Sequence, residues 1–320
     1  MNTTALTSKR FLVPGLLLVI FIALATLPLY GSLYTVILLT AILMYIIITV
    51  SWVMFSGPTG YISLASAAFF GVGIYTSAIL LPNTGAVLPL LAVVVLGGFI
   101  SFILALLIGA LTLRLRGIYF AIFTFGLLVL LQQLLLYWEI EITGTRGRYI
   151  ILIDNDVIFY IMLAIFAVLM LTVYFIRRSK FGLALQSIGE NEEAAAHIGV
   201  NTTIVKVITF AISAFFMGAA GAIIATRWTY IDPYIAFNPL FSFLPVLMAI
   251  FGGMGQLYGP VIGAAVFAYL EETLLTKFPY YYMLLFGIIL VVVILYLPNG
   301  VVGLVQKLWR RISGGQRAHT

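Results

Sequence analysis

The sequence has no cysteine, which excludes disulfides and thiol chemistry throughout its 320 residues. It is almost as poor in charge. Asp, Glu, Lys and Arg make up 8% of the chain, against 63% hydrophobic residues, and the mean hydropathy is +1.20. A soluble protein of this length needs a polar skin, and there is too little polar material to make one. There are two histidines, His197 and His319. They are far apart, so they suggest no metal site and no catalytic histidine, and no nucleophile–base constellation is visible. No Gly-x-x-x-x-Gly-Lys-Ser/Thr loop occurs, so the chain has no such cradle for nucleotide phosphates. Nucleic acid is also excluded as a partner. The pI is near 9.4, but the basic residues stand singly or in pairs at the ends of apolar runs and form no stripe.

What the chain does have is long continuous apolar runs, for which lipid is the natural solvent. Backbone hydrogen bonds must then be satisfied within each crossing, which predicts helices. The ten-residue alternating segments of a membrane β-barrel are absent. The fold class expected is all-α, a polytopic integral membrane bundle of about ten transmembrane spans near 11–30, 33–55, 61–81, 87–112, 117–137, 157–176, 204–226, 241–254, 259–275 and 281–303. They form a single transmembrane domain over 1–320, with one long internal segment at 177–203. Three spans contain helix-breaking sequences. Gly57-Pro58-Thr59-Gly60 precedes the third, and Gly252-Gly253-Met254-Gly255 and Gly259-Pro260 separate the eighth from the ninth. These are broken, re-entrant or straight. Lys9-Arg10, the following apolar run and Ala23-Leu24-Ala25 resemble a cleavable signal peptide. The run continues to Tyr30, long enough to span, which favours a retained first helix.

The few charges orient this bundle. Ten spans place Lys9, Arg10, Arg114, Arg116, Arg177, Arg178, Lys180, Lys206, Lys307, Arg310, Arg311 and Arg317 on one face, 12 of the 16 basic residues. Arg146, Arg148, Arg227 and Lys277 fall on the other. The excess marks the cytoplasmic face, so both termini are expected inside and the loop at 138–156 outside. No ionisable residue falls at mid-membrane, since Glu271 and Glu272 read as interfacial. That counts against an ion-coupled secondary carrier, whose coupling needs buried acids. Arg114 and Arg116 read as inner-face anchors or as contacts for a partner. Gln132 and Gln133 sit inside the fifth span, to bond a neighbouring helix or to line a pathway. The small residues from Ser63 to Ala68 and from Gly218 to Ala222 allow close helix packing, or a smooth passage for an apolar solute.

The segment from Ser187 to Gly199 is the sharpest signal. Glu192, Glu193 and three alanines favour a short helix with an acidic first turn. Gly199 suits its stop, and Asn201 or Thr202 suits the cap of the next helix. A lipid-surface helix favours Lys and Arg on its polar face. This one has three glutamates and no basic residue from Leu183 to Thr203, which points to a protein partner.

Glu193-Ala194-Ala195 with Gly199 resembles the coupling loop of permease subunits of ABC importers, and Leu185 to Phe210 resembles the LivM-type permeases of branched-chain amino-acid transporters. Further segments agree in order. They are Gly60-Tyr61-Ile62-Ser63-Leu64 with Ala67 to Gly73, Leu113 to Ile122, Gly252 to Gly255 with Gly259 to Ala264, and Phe286-Gly287 through Pro298-Asn299-Gly300. The external Thr143-Gly144-Thr145-Arg146-Gly147-Arg148 departs from that family's usual Thr-Gly-Gly-type stretch. The resemblance implies a transport subunit rather than an enzyme, in a bacterial or archaeal cytoplasmic membrane. It implies no cofactor in this chain, with ATP and Mg held by two partner ATPases, a LivH-like second permease and a periplasmic or tethered binding protein. The cargo implied is a branched-chain or related apolar amino acid, with urea or short amides as the alternative. On that resemblance, Gly189, Glu190, Asn191, Glu192, Glu193, Ala194, Ala195 and Gly199 couple to the ATPase. Gly60, Ser63, Ser66, Gly71, Gln132, Gln133, Gly252, Gly253, Gly255, Gly259 and Pro260 are candidates for pathway or gate.

Overall fold

The computed structural model describes residues 23–81, 89–115, 117–255 and 258–296. Most of the expected first span, Arg116 and the chain beyond Tyr296, with Pro298-Asn299-Gly300 and His319, lie outside the described residues. The described chain is a helix bundle. In order it forms α1 (Leu33–Thr59), α2 (Ser66–Leu80), α3 (Leu90–Thr112), α4 (Ile118–Trp138) and α5 (Asn155–Arg178). Then come α6 (Lys180–Glu190), α7 (Glu192–His197), α8 (Thr202–Ala225), α9 (Pro233–Ala236), α10 (Leu240–Gly252), α11 (Tyr258–Lys277) and α12 (Tyr282–Tyr296). One two-residue ladder pairs β1 (Arg148–Tyr149) antiparallel with β2 (Tyr230–Ile231).

Among the described residues six helical stretches are long and apolar enough to cross a membrane. Two of them form the axis. The most apolar stretches of α1 and α8 are 72% and 78% buried, against 22% for α4 with its continuation to Thr143. The bundle can afford this because α2, α3 and α8 are notched with small residues. A methyl on Gly73 would fall on the carbonyl of Gly218, and one on Gly221 would fall on that of Phe70. One on Gly97 would press against Ala222. Such contacts let backbones approach without side chains between them, which is how helices gain van der Waals energy where lipid offers no hydrophobic drive. The stretch Gly218 to Ala222 is therefore used for packing.

The bundle has two distinct ends. One carries α6 and α7, the close of α1 and the opening of α8. The other carries the β ladder. Local chemistry sets the boundaries. Ser32 accepts from the Thr35 amide to open α1, and Gly60 closes it at φ +71°. Asp154 caps α5, and Arg177 and Arg178 complement the negative end of its dipole.

The breaks in the expected spans are real. The third span is helical only from Ser66, and residues 60–65 before it belong to neither helix nor strand. The eighth is the single helix α10, which closes at Gly252, and the ninth is the single helix α11, with Gly259 and Pro260 inside its first turn. The expected outer loop begins later than Trp138, because α4 runs on through a π turn, Glu139–Thr143, closed by Gly144 at φ +70°. Glu139 is fully buried there. It accepts from the Tyr75 hydroxyl at 3.1 Å and from the Gly147 amide at 2.9 Å, and Arg148 approaches at 3.8 Å.

Glu271 is half-buried and has a partner on a distant helix. The Tyr45 hydroxyl, about midway along α1, donates to its Oε1 at 3.4 Å, because α11 packs along α1 and carries the acid to that depth.

Candidate functional site

The internal segment folds as two helices. Ser179 caps α6, accepting from the Gly182 amide at 3.3 Å. Asn191 then adopts an extended backbone, φ −157° and ψ 106°, and its Oδ1 accepts from the amides of Glu193 and Ala194, both at 3.0 Å. The single helix expected over 190–199 is therefore split. Glu190 ends α6, Asn191 is the cap, and α7 holds Glu192 to His197. Gly199 sits at φ +90° with open space around it, so it is chosen for backbone conformation, and Asn201 caps α8 by accepting from Ile204 at 3.1 Å. Beneath the segment Leu185, Ile188, Ala195 and Val205 form a small core of their own. Gly189 lies against the Pro58 carbonyl at the close of α1, where a methyl would not fit.

The two coupling glutamates part company. Glu193 is exposed, and so is Ala194. Glu192 turns inward and pairs with Lys206 on α8 at 2.6 Å. The Lys206 side chain is 2% exposed. Its ammonium also donates to the Leu113 carbonyl at 2.9 Å and to the Tyr61 hydroxyl at 3.1 Å, and lies 4.6 Å from the Tyr61 ring centre. Tyr61 in turn donates to Glu192 Oε2 at 2.6 Å. One buried knot thus ties α7 to α8, to the close of α3 and to the non-helical stretch after α1. The sequence counted Lys206 among the cations of the inner face. A lone cation five residues into an apolar helix, a turn beyond its cap, was the available signal for burial.

The non-helical stretch 60–65 is satisfied by side chains from three helices. Trp52 Nε1 donates to the Ser63 carbonyl at 2.7 Å. The Leu64 amide donates to Thr124 Oγ1 at 2.9 Å. Ser242 donates to the Leu64 carbonyl at 2.7 Å and accepts from the Ala67 amide at 3.0 Å. Irregular backbone at membrane depth survives only where protein or a water-filled cavity covers it, and here protein does. Sequence reasoning named Gly60, Ser63 and Ser66 but missed Trp52, Thr124 and Ser242, which lie on other elements. Ser242→Ala is expected to leave two buried backbone groups unpaired, at about 1–3 kcal/mol each. A thermal-unfolding comparison with Ser242→Thr, which keeps the hydroxyl, checks this.

The remaining candidates fall into two groups. Gln132 Nε2 reaches the Phe237 carbonyl at 3.5 Å, and the Phe237 ring fills the space that a side chain at Gly71 would need. Gln133 is exposed on α4. At the other end Gly252 and Gly259 are packed backbone to backbone, Pro260 is buried, and Gly253 has φ +91°. Gly255 lines a cavity of about 220 Å³ with Gly57, Pro58, Arg177 and Gln186. The Gly-rich turn between α10 and α11 thus faces the same end of α1 that α6 touches. Among the described residues no group of acids and histidines could hold a metal ion.

Residues 34–294 match the family described as the permease component of branched-chain amino acid transport systems. The chain belongs to that family. It is 28% identical to the high-affinity branched-chain amino acid transport permease LivM of Salmonella typhimurium, over 86% of this chain and 71% of the relative. The Escherichia coli LivM is 27% identical over 91% and 76%. The high-affinity branched-chain amino acid transport permease LivH of Salmonella typhimurium is 31% identical over 43% of this chain and 44% of the relative. No solved structure matches.

Proposed function

We propose that this chain is the transmembrane permease subunit of an ATP-driven importer that moves branched-chain or related apolar amino acids across the cytoplasmic membrane of a bacterium or archaeon. The relatives' names support the cargo. A LivH-like second permease completes the pathway, two cytoplasmic ATPases hold ATP and Mg, and a binding protein delivers the solute from outside. The chain crosses about ten times with both ends in the cytoplasm. The α6–α7 end faces the ATPases and the ladder end faces out, as the excess of Lys and Arg at the first end supports.

The observation that carries the reading is the knot at Lys206. α7 is exposed along Glu193 and Ala194 yet fixed inward through Glu192. An ATPase that docks on the exposed side and moves α7 therefore pulls on α8 and Tyr61 together. Tyr61 begins the non-helical stretch, which has no continuous helix to resist bending. Closure of the ATPases is thereby converted into a change in the α1–α2 and α8 helices that line the bundle axis.

Two experiments test this reading. Proteoliposomes with all subunits should take up isoleucine only with ATP and only when this chain is present. Uptake by this chain alone on an ion gradient would overturn the reading. For orientation, single cysteines at Ser187 and Thr145 should label from opposite sides of the membrane with an impermeant reagent. Same-side labelling would end the topology.

A further inference from the structure

At the ladder end the chain from Arg227 to Phe241 leaves α8, forms β2, turns inward as α9 and enters α10. It lines an open cavity of about 640 Å³, within the range of small-molecule sites. The floor is deep. Phe241 packs on Tyr45 and Phe70, at 6.3 and 4.8 Å between ring centres, and both belong to the interiors of α1 and α2.

The wall has two kinds of chemistry. Trp228, Tyr234 and Phe241 are aromatic, and Arg227, Asp232 and Asn238 are polar. Arg227 is half-buried, and its guanidinium has no hydrogen bond or ion pair among the described residues. Burial pulls its pKa down, and the negative charge of Glu272 pushes back. A desolvated guanidinium without an acceptor is a vacancy for an anion, and a carboxylate fits its fork. Asn238 Oδ1 is taken by the Leu240 amide at 3.0 Å, which leaves its amide NH₂ as a donor. Asp232 is already fixed: Oδ2 accepts from Arg146 at 2.9 Å and Oδ1 accepts from the Ile235 amide at 2.9 Å. Its carboxylate retains lone pairs for one more donor. One cation, one anion and an aromatic lining fit a molecule that is zwitterionic at one end and apolar at the other.

We propose that this cavity is a binding site for the zwitterion of an apolar α-amino acid on its way into the bundle. The carboxylate is held by Arg227, the ammonium is directed to Asp232, and the side chain lies on Trp228 and Phe241. The inference rests on the importer reading and locates within this chain a site that the reading leaves open. It also gives the chain a share in selecting its cargo. A solute without a carboxylate leaves Arg227 unpaired, which costs affinity to the extent that the bound solute shields this half-buried donor from water.

The absence of cysteine makes the test direct. Thr229 lines the cavity and is exposed, so Thr229→Cys gives this chain one thiol, placed in the wall. In the transporter assembled with its second permease and ATPases, the labelling rate of that thiol by an impermeant maleimide is measured with and without a non-hydrolysable ATP analogue. Isoleucine is expected to slow labelling roughly tenfold near saturation in at least one of the two conditions. 2-Methylbutylamine, which lacks only the carboxylate, and ribose are expected to give no protection. Arg227→Gln should raise the half-protecting isoleucine concentration roughly tenfold or more, and Arg227→Lys should restore part of it. If Arg227→Gln does not assemble, the comparison of isoleucine with the amine decides alone. The site is overturned if isoleucine fails to protect in either condition, or if the amine or ribose protects equally well. ATP-driven isoleucine uptake is measured on the same Thr229→Cys complex and on the unsubstituted one. Uptake without protection sinks the site and leaves the importer standing, whereas no uptake by the unsubstituted complex sinks the importer reading itself.

Discussion

Glu192→Lys is expected to disrupt the α7–α8 junction, whereas Glu193→Lys should leave it folded. The two residues are neighbours in an acidic turn, and sequence alone treats them alike. In the structure the Glu192 carboxylate is the counter-ion of an ammonium that is 2% exposed. Taking one partner from a buried pair costs about 3–5 kcal/mol, mostly because the other charge is left uncompensated. Glu192 is 17% exposed, so water screens part of the loss and the lower end of that range applies. A lysine at 192 adds repulsion to the loss. Purified transporter carrying Glu192→Lys should unfold at lower temperature and become sensitive to proteolysis between α6 and α8. Glu192→Gln should cost less, because it retains hydrogen bonding to Tyr61. Combining Glu192→Lys with Lys206→Glu should recover only part of the stability, since the Leu113 carbonyl that now accepts from Lys206 would then face a carboxylate. Glu193→Lys should pass the same thermal and proteolytic tests and fail only in substrate-stimulated ATP hydrolysis and uptake. Equal stability of the two single variants would remove the knot from the account of coupling.

The second large effect is expected at Gly189. A methyl there would fall on the Pro58 carbonyl, which is backbone and cannot rotate away. Gly189→Ala must therefore push α6 off the close of α1, at about 1–3 kcal/mol for an overpacked site. The α6 core of Leu185 and Ile188 is small, so the segment has little else to hold it. The bundle axis lies elsewhere and should survive. Membrane insertion and assembly with the second permease are expected to be normal, with basal ATP hydrolysis retained and its link to uptake weakened or lost. Gly199→Val makes a useful contrast. Space is open around Gly199, so its cost is the left-handed backbone alone, roughly 1–2 kcal/mol. If Gly189→Ala couples as well as the unsubstituted protein, contact between α6 and α1 carries no part of the signal.

Much of this protein was legible because lipid leaves a chain few choices. Apolar runs must be helices, and caps and glycines mark where they stop. Asn201 opens α8, Gly199 takes φ +90°, and Gly60 closes α1 at φ +71°. The breaks after Gly60 and Gly252 were also readable, because glycine and proline act locally on backbone dihedrals.

Other features needed partners from distant positions. Lys206 looked like one more inner-face cation until Tyr61, 145 positions away, and the carbonyl of Leu113, 93 away, were folded around it. Glu271 gains its partner only because α11 sets it against Tyr45, 226 positions away. Ser242 reaches Leu64 over 178 positions, and nothing local marks a serine for that task. The sequence by itself determined the solvent, the helices, most of their ends and the acidic first turn at Glu192 and Glu193, since each follows from composition or from contacts within a turn. Tertiary structure alone decided which glutamate points inward, which serine supports the non-helical stretch and which arginine lines a cavity. Burial and pairing of a polar side chain depend on what other segments bring within about 3 Å, the reach of a hydrogen bond.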